Sequence, residues 1–281
     1  MEIINTIKEM QQKALEWQKA NYSIGFIPTM GYLHEGHCSL IKNAKQKNDK
    51  VIVSIFVNPT QFSKSEDLSN YPRDIVTDTN LCKSFGVDII FYPTAEDMYT
   101  SNFFTSVSVP NLSNTMCGKS RPTHFNGVCL IVCKLLNIIR PTNTYFGLKD
   151  YQQVTIVKTM VKDLNIQTNI VACETLREKN GLAMSSRNAY LSEKEKEKAI
   201  IIYNSLIEGN KIILKGEKNA STVINKITQL IKSEPLAEID YIQIVDAETL
   251  EDLTTIDRPL VIACAIYIGN TRLIDNIITS L

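Results

Sequence analysis

Between residues 23 and 173, five short runs rich in β-branched and aromatic residues alternate with longer segments of helical pattern. The runs are residues 23–28 (SIGFIP), 51–57 (VIVSIFV), 88–92 (DIIFY), 144–147 (TYFG) and 167–173 (QTNIVAC). Their apolar content is nearly continuous, so the sheet they form must be covered on both faces. Residues 36–47, 73–85, 127–139 and 150–164 are each long enough to serve as a crossover helix. Repeated βα units of this kind predict a doubly wound, Rossmann-like parallel sheet of α/β class. Such sheets bind ligands beyond the carboxyl ends of their strands, at a topological switch point.

After about residue 175 the pattern changes. A loop containing Gly and Ser leads to a charged helix from residue 192, a second helix at 220–232, and strands near 240–245 and 260–268. The expected division is therefore a Rossmann-like domain over 1–175 and a smaller α+β domain over 176–281. Ser192 and Glu195 fit a capping box, so the charged run 193–198 reads as a solvated helix face. Internal repeats and low-complexity linkers are absent from the sequence.

Composition narrows the function. Thirty basic residues balance thirty acidic ones among 281, leaving no net charge to draw in nucleic-acid phosphates over a distance. No run approaches the roughly 18 consecutive apolar residues of a membrane span. The amino terminus carries Glu2, Glu9 and Glu16 and resembles no targeting segment, so the expected location is cytoplasmic. Seven cysteines without a CxxC pair read as reduced, mostly buried thiols.

The stretch PTMGYLHEGH, residues 28–37, follows the first strand and enters the first apolar helix, at the turn where this fold class binds phosphate. Gly36 permits close backbone approach, and His34 and His37 share one side of the first helical turn. Met30, Gly31 and their neighbours line the turn, with backbone amides expected to be free to donate. Two of the chain's three histidines lie here. They suit an anionic leaving group, although with Cys38 they could ligate a metal or act as a structural pair.

The run PTMGYLHEGHCSL resembles the HxGH signature of the nucleotidyl-transferring α/β superfamily, and its PTMG prefix is similar to the pantothenate synthetase family. Matching motifs recur in order at residues 56–62 (FVNPTQF), 71–73 (YPR), 117–128 (CGKSRPTHFNGV), 146–153 (FGLKDYQQ), 181–188 (GLAMSSRN) and 271–276 (TRLIDN). Three positions depart from the family pattern: Tyr32 for a small residue, Thr123 for a common Gly, and Asn180 for an acidic residue.

The resemblance implies a ligase that uses ATP, with Mg2+, to convert pantoate into pantoyl adenylate and pyrophosphate, after which the amine of β-alanine displaces AMP. Neither step requires a protein nucleophile, so positioning and electrostatics should dominate. By the same resemblance His34, His37 and Lys149 are catalytic, with His37 aimed at the leaving oxygen. ATP would be held by Met30, Gly31, His34, Gly36, His37, Gly147, Lys149, Asp150, the backbone of Leu176, and Met184, Ser185, Ser186 and Arg187. The segment at 184–187 resembles a mobile phosphate-binding motif.

Gln61 and Gln153 resemble the pair that holds pantoate and β-alanine, an uncharged amide being able both to accept and to donate; Gln61 could instead be a solvated loop residue. Asp150 could cap a helix or reach Mg2+. The metal ligands stay open, with Asp78 and Asp150 as candidates and an exposed helix acid as the other reading of Asp78. His124 and Arg121 either orient pantoate or brace their loop. The implied assembly is a homodimer of a small-molecule enzyme, binding neither nucleic acid nor membrane. The rivals are a nucleotidyltransferase with another acceptor and a non-catalytic nucleotide sensor.

Overall fold

The computed structural model describes residues 1–63, 68, 69 and 71–280. In chain order the first elements are β1 (Glu2–Ile4), α1 (Ile7–Lys19), β2 (Ile24–Thr29), α2 (Glu35–Lys47), β3 (Lys50–Ile55), α3 (Ile75–Ser84) and β4 (Ile89–Phe91). Three four-residue helices follow: α4 (Ala95–Met98), α5 (Pro110–Ser113) and α6 (Cys117–Ser120). Then come α7 (His124–Ile139), β5 (Asn143–Gly147), α8 (Tyr151–Asp163) and β6 (Asn169–Cys173).

The six strands form one parallel sheet in the order β1-β4-β3-β2-β5-β6. The order reverses direction beside β2, whose neighbours are β3 on one side and β5 on the other. Chain leaving β2 at Thr29 and chain leaving β5 at Gly147 therefore open the switch point that this topology uses for ligands. The predicted βα alternation is the observed one. One strand of this sheet was not anticipated: β1, three residues long, adds an edge strand beside β4 with Glu2 opposite Ile89.

The strands are apolar because they are sandwiched. Ile27, Val51, Val53, Ile90 and Tyr145 join Ile41 and Ala44 of α2 in one buried cluster. The helix α7 is nearly apolar, with eleven buried residues from Phe125 to Ile139. It ends at Arg140 in the left-handed region, φ 48°, where the amide donates back to Leu136 O at 2.8 Å.

The remaining elements are α9 (Glu193–Ala199), α10 (Ile201–Leu214), α11 (Ala220–Lys232), β7 (Ala237–Asp246), β8 (Leu260–Ile268) and β9 (Thr271–Thr279). The last three form an antiparallel sheet with β8 at its centre. A second core of Ile202, Leu206, Val223, Ile227, Ile244, Ile262 and Ile266 lies between this sheet and α10 and α11. The predicted capping box is present, Ser192 Oγ accepting from Glu195 N at 3.3 Å and Glu195 Oε2 accepting from Ser192 N at 2.9 Å.

The chain divides into two compact units. The first comprises Met1–Ser113, Arg121–Leu148 and Gln153–Glu174; the second comprises Asn114–Ser120, Lys149–Gln152 and Thr175–Leu281. Two short stretches before residue 175 thus belong to the second unit. Polar contacts account for that membership. Ser120 Oγ donates to Asp240 at 2.8 Å, Arg272 donates to the same carboxylate at 2.6 Å, and Gln152 accepts from Cys117 N at 3.0 Å. Among the described residues no helix is long and apolar enough to cross a membrane.

Candidate active site

The turn after β2 is built by tertiary hydrogen bonds. Thr29 Oγ1 donates to Ser54 O at 2.7 Å and accepts from Gly31 N at 3.2 Å. Gly31 has φ +82°, and a Cβ there would meet Asp78 Oδ2 and Ile55 Cγ2 at 3.0 Å each. The next residue, Tyr32, is also left-handed, φ 51°, a conformation that costs a side-chain-bearing residue about 1 kcal/mol. Asp78 of α3 offsets that cost. Its carboxylate accepts from the amides of Tyr32 at 2.8 Å and Leu33 at 2.7 Å.

Asp78 is only 2 % exposed, which corrects the expectation of an exposed helix acid. Each oxygen accepts one amide of the turn, an arrangement suited to a clamp. Burial pushes its carboxyl above the usual value, outweighing the two amide hydrogen bonds that pull it down.

The histidines follow at once. His34 is the N-cap of α2, its Nδ1 accepting from Gly36 N at 3.1 Å, while His37 Nδ1 accepts from His34 N at 3.3 Å. The two rings lie 4.1 Å apart, tilted by 44°. An imidazole whose Nδ1 accepts from an amide carries its remaining proton on Nε2. Both rings are thereby set as Nε2–H donors, and their Nδ1 atoms are already occupied.

The expectation of free turn amides is corrected for the neighbours of Met30 by the same bonds, while no internal acceptor takes the Met30 amide itself among the described residues. The amides of Gly31, Tyr32, Leu33, His34 and Gly36 all find partners within the protein. Donation to a ligand from this turn therefore falls to the imidazoles and the Met30 amide.

Gln61 ends a short 3-10 turn, Pro59–Gln61, beyond β3. At 8 % exposure it is no solvated loop residue. Its Oε1 accepts from Asn58 Nδ2 at 3.1 Å, and its Nε2 lies 3.0 Å from Met30 Sδ. Sulfur is a weak acceptor, so this amide can exchange Met30 for a better partner at small cost.

Asn58, buried, organises the turn. Its Nδ2 also donates to Gly127 O at 3.1 Å, and its Oδ1 accepts from Tyr99 Oη at 2.7 Å. Neither Asn58 nor Tyr99 was singled out from sequence. The Asn-Pro pair opening the turn was a usable signal; Tyr99, 41 residues away, offered none.

The helix α7 approaches this turn so closely that a Cβ on Gly127 would sit 2.4 Å from Thr60 O. His124 Nδ1 lies 2.9 Å from Gln61 O, and Arg121 donates to the same oxygen at 3.5 Å. These contacts give the loop-bracing alternative for His124 and Arg121 a geometry. Thr123 precedes α7 with φ −100°, a backbone that needs no glycine, so that departure is conformationally neutral.

Of the paired glutamines in α8, Gln152 is buried and committed, donating to Thr115 O at 2.8 Å besides accepting from Cys117 N. Gln153 is half-buried and has no hydrogen-bond partner among the described residues. It is the one of the two that keeps its amide for a ligand.

Gly147 closes β5, and residues Leu148–Asp150 form a 3-10 turn that runs into α8. Within the second unit, Lys149 is 16 % exposed at its side chain and sits 3.8 Å from Asp150. Its carbonyl accepts from Asn276 Nδ2 at 2.9 Å, fixing the backbone from which the ammonium projects.

The Leu176–Arg187 region, in the same unit, folds back on itself. Leu176 O accepts from Met184 N at 3.0 Å, and Arg177 bridges Ala183. Arg177 anchors the hairpin, donating to both oxygens of Asp275 at 2.6 and 2.9 Å while lying 3.6 Å over the Tyr203 ring. Asn180 Oδ1 accepts from Leu182 N at 3.1 Å, a task a carboxylate would also perform, which explains why that departure is tolerated.

Ser185 caps the 3-10 turn Ser186–Tyr190 by accepting from Arg187 N at 3.3 Å. Asn188 locks the turn through Glu178 Oε1 and Ala183 O. The Arg187 guanidinium, half-buried, has no hydrogen-bond or ion-pair partner among the described residues.

The profile of the family described as "Pantoate-beta-alanine ligase" matches residues 2–278. A pantothenate synthetase of Clostridium botulinum (strain Loch Maree / Type A3) is 51% identical over 276 residues, 98% of each chain. One from Clostridioides difficile (strain 630) is 49% identical over 274 residues, 98% of this chain and 97% of that one.

Among solved structures, pantothenate synthetase from Thermus thermophilus superimposes with a TM-score of 0.93 at 37% identity over 99% of both chains. The pantoate-beta-alanine ligase of Francisella tularensis, complexed with beta-gamma ATP and beta-alanine, gives 0.81 at 40% identity, covering 99% of this chain and 97% of that one. The chain belongs to the pantoate–beta-alanine ligase family.

Proposed function

We propose that the protein condenses pantoate with β-alanine to form pantothenate, using ATP and passing through pantoyl adenylate. Family membership supplies the overall reaction. The observation that carries the mechanism is the pair of histidines whose Nδ1 atoms accept backbone amides, which puts the proton of each neutral ring on Nε2.

In the first step a carboxylate oxygen of pantoate attacks the α-phosphorus as the bond to the β-phosphate oxygen breaks, and pyrophosphate departs. Charge grows on that leaving oxygen. Nε2–H of His37 donates to it, with His34 and the Lys149 ammonium on neighbouring phosphate oxygens; donors already fixed need no reorganisation during the reaction. Met30, Gly31, Gly36 and Gly147 shape the nucleotide's seat. Leu176 contributes backbone, and Met184, Ser185, Ser186 and Arg187 close on the phosphates, Arg187 with a fork suited to two oxygens.

Gln61 and Gln153 hold pantoate. Replacement of Met30 Sδ by a pantoate hydroxyl as the partner of Gln61 Nε2 exchanges a weak bond for a stronger one. In the second step the β-alanine amine attacks the acyl carbon, AMP leaves, and the amine gives up a proton to solvent. No side chain forms a covalent bond.

Mg2+ enters this reading as the companion of the triphosphate. Among the described residues no three His, Cys, Asp or Glu side chains assemble as a metal cage, whereas an ion held mainly by phosphate oxygens needs only one or two carboxylates. Asp150 is the candidate ligand, and the ion would neutralise phosphate charge. The reading also includes a homodimer in the cytosol, where unpaired thiols such as the seven here persist.

Pantoate-dependent exchange of pyrophosphate into ATP tests the reading. Exchange with pantoate alone, and AMP release only after β-alanine is added, are the expected results. Exchange without pantoate would instead indicate another acceptor.

A further inference from the structure

The turn that delivers His34 and His37 contains two successive left-handed residues, Gly31 and Tyr32, followed by two amides pointing the same way. Converging amides of this kind make a small anion-binding concavity. Here the anion is part of the protein. Asp78, reaching across from α3, fills the concavity with one oxygen on Tyr32 N and the other on Leu33 N.

The residue after Leu33 is His34, and its own amide donates to His37 Nδ1. The covalent backbone of residues 32–34 thus joins the hydrogen bonds on the Asp78 carboxylate to the one on the ring of His37. Resting on the reading above, we propose that Asp78 is a positioning residue for adenylate formation: it holds the 31–34 backbone so that His34 and His37 keep Nδ1 as acceptor and Nε2–H as donor. Asp78 touches neither substrate nor phosphate in this role.

The internal occupant has a further consequence. A triphosphate cannot settle into the concavity itself, since its donors are taken, which leaves the imidazoles and the Met30 amide to engage phosphate. Without Asp78 the two amides lose their acceptors, Tyr32 leaves the left-handed region, and His34 N no longer holds His37. A misplacement of about 1 Å at a reacting group can cost on the order of 100-fold in rate.

The test is Asp78→Asn, which places an amide NH2 against a backbone N–H, with Asp78→Glu as a second variant that retains both oxygens but displaces them. Pantoate-dependent ATP–pyrophosphate exchange is expected to fall about 10- to 100-fold with the KM for pantoate changed less than about 3-fold. Nitrogen-15 NMR of the three histidines is expected to show loss of the uniform Nε2–H tautomer at two of them.

Normal exchange in a folded variant of either kind would overturn the proposal. So would a rate loss matched by an equal loss of pantoate affinity, or unchanged histidine tautomers in a slow variant. If the unaltered protein shows no pantoate-dependent exchange, the fault lies with the functional reading and not with the role of Asp78.

Discussion

His37 Nδ1 accepts the backbone amide of His34 at 3.3 Å. Through that bond the HxGH turn fixes its own tautomers, and the catalytic proposal follows from it. With Nδ1 accepting, the ring's proton is carried on Nε2, the nitrogen from which it can be donated.

His37→Ala should remove that donor from the leaving oxygen, and Lys149→Ala a cation from the phosphates. Each loss is expected to slow adenylate formation by about 100- to 1000-fold, with ground-state pantoate binding nearly unchanged. Single-turnover measurement of pantoyl adenylate, beside titration of pantoate, checks this. Normal adenylate formation in both variants would remove these residues from the mechanism.

Gly127→Ala should disturb the pantoate site from outside it. The added Cβ would lie 2.4 Å from Thr60 O and 2.6 Å from Gln61 N, and backbone cannot swing away as a side-chain tip can. Overpacking of this kind costs about 1–3 kcal/mol. Thermal unfolding should report that loss, together with a raised KM for pantoate and little change in the KM for ATP. A variant with unaltered KM for pantoate would show that the Pro59–Gln61 turn does not hold that substrate.

Arg177→Ala should destabilise strongly, because the Asp275 side chain, 1% exposed, would keep its charge without its bidentate partner. Removing one member of a buried pair costs about 3–5 kcal/mol. Denaturant unfolding checks the size. Asp275→Asn in the Arg177→Ala background should recover part of it by removing the orphaned charge.

Asp78 also predicts a pH dependence. Burial raises its native carboxyl above the ordinary value of 3.8, so the folded form binds this proton more tightly than the unfolded form. Its contribution to stability is therefore fully present below 3.8 and is lost as pH rises through the raised native value. Urea unfolding from about pH 4 to about pH 7 should show the unaltered protein losing stability relative to Asp78→Asn as pH increases. A difference that grows in favour of the unaltered protein would contradict this sign.

The parallel sheet was legible because strands covered on both faces must be nearly continuously apolar, and α2, α3, α7 and α8 appeared between them as separate helical patterns. The edge strand β1 was not, since three residues cannot display a period. Nor was β9, recognised only as the motif TRLIDN: its buried Asp275 and Asn276 break the apolar alternation because their partners, Arg177 and the Lys149 carbonyl, lie far away in sequence.

Within the candidate site, the histidines, Gln61, Gln153, Lys149 and Arg187 stood out by motif. The supports did not. Asp78 looked like any helix acid, since its amide partners lie 45 and 46 residues away, and the turn amides looked available because their internal acceptors are side chains that only the fold brings near.

In the proposed mechanism, fixed donors align a carboxylate with ATP and stabilise departing pyrophosphate, with no covalent bond to the protein. The most direct test is isotope exchange between pyrophosphate and ATP with the purified protein and Mg2+. Exchange that requires pantoate, followed on adding β-alanine by AMP and pantothenate in equal amounts, is the predicted result; ATP left intact with all substrates present would contradict the account.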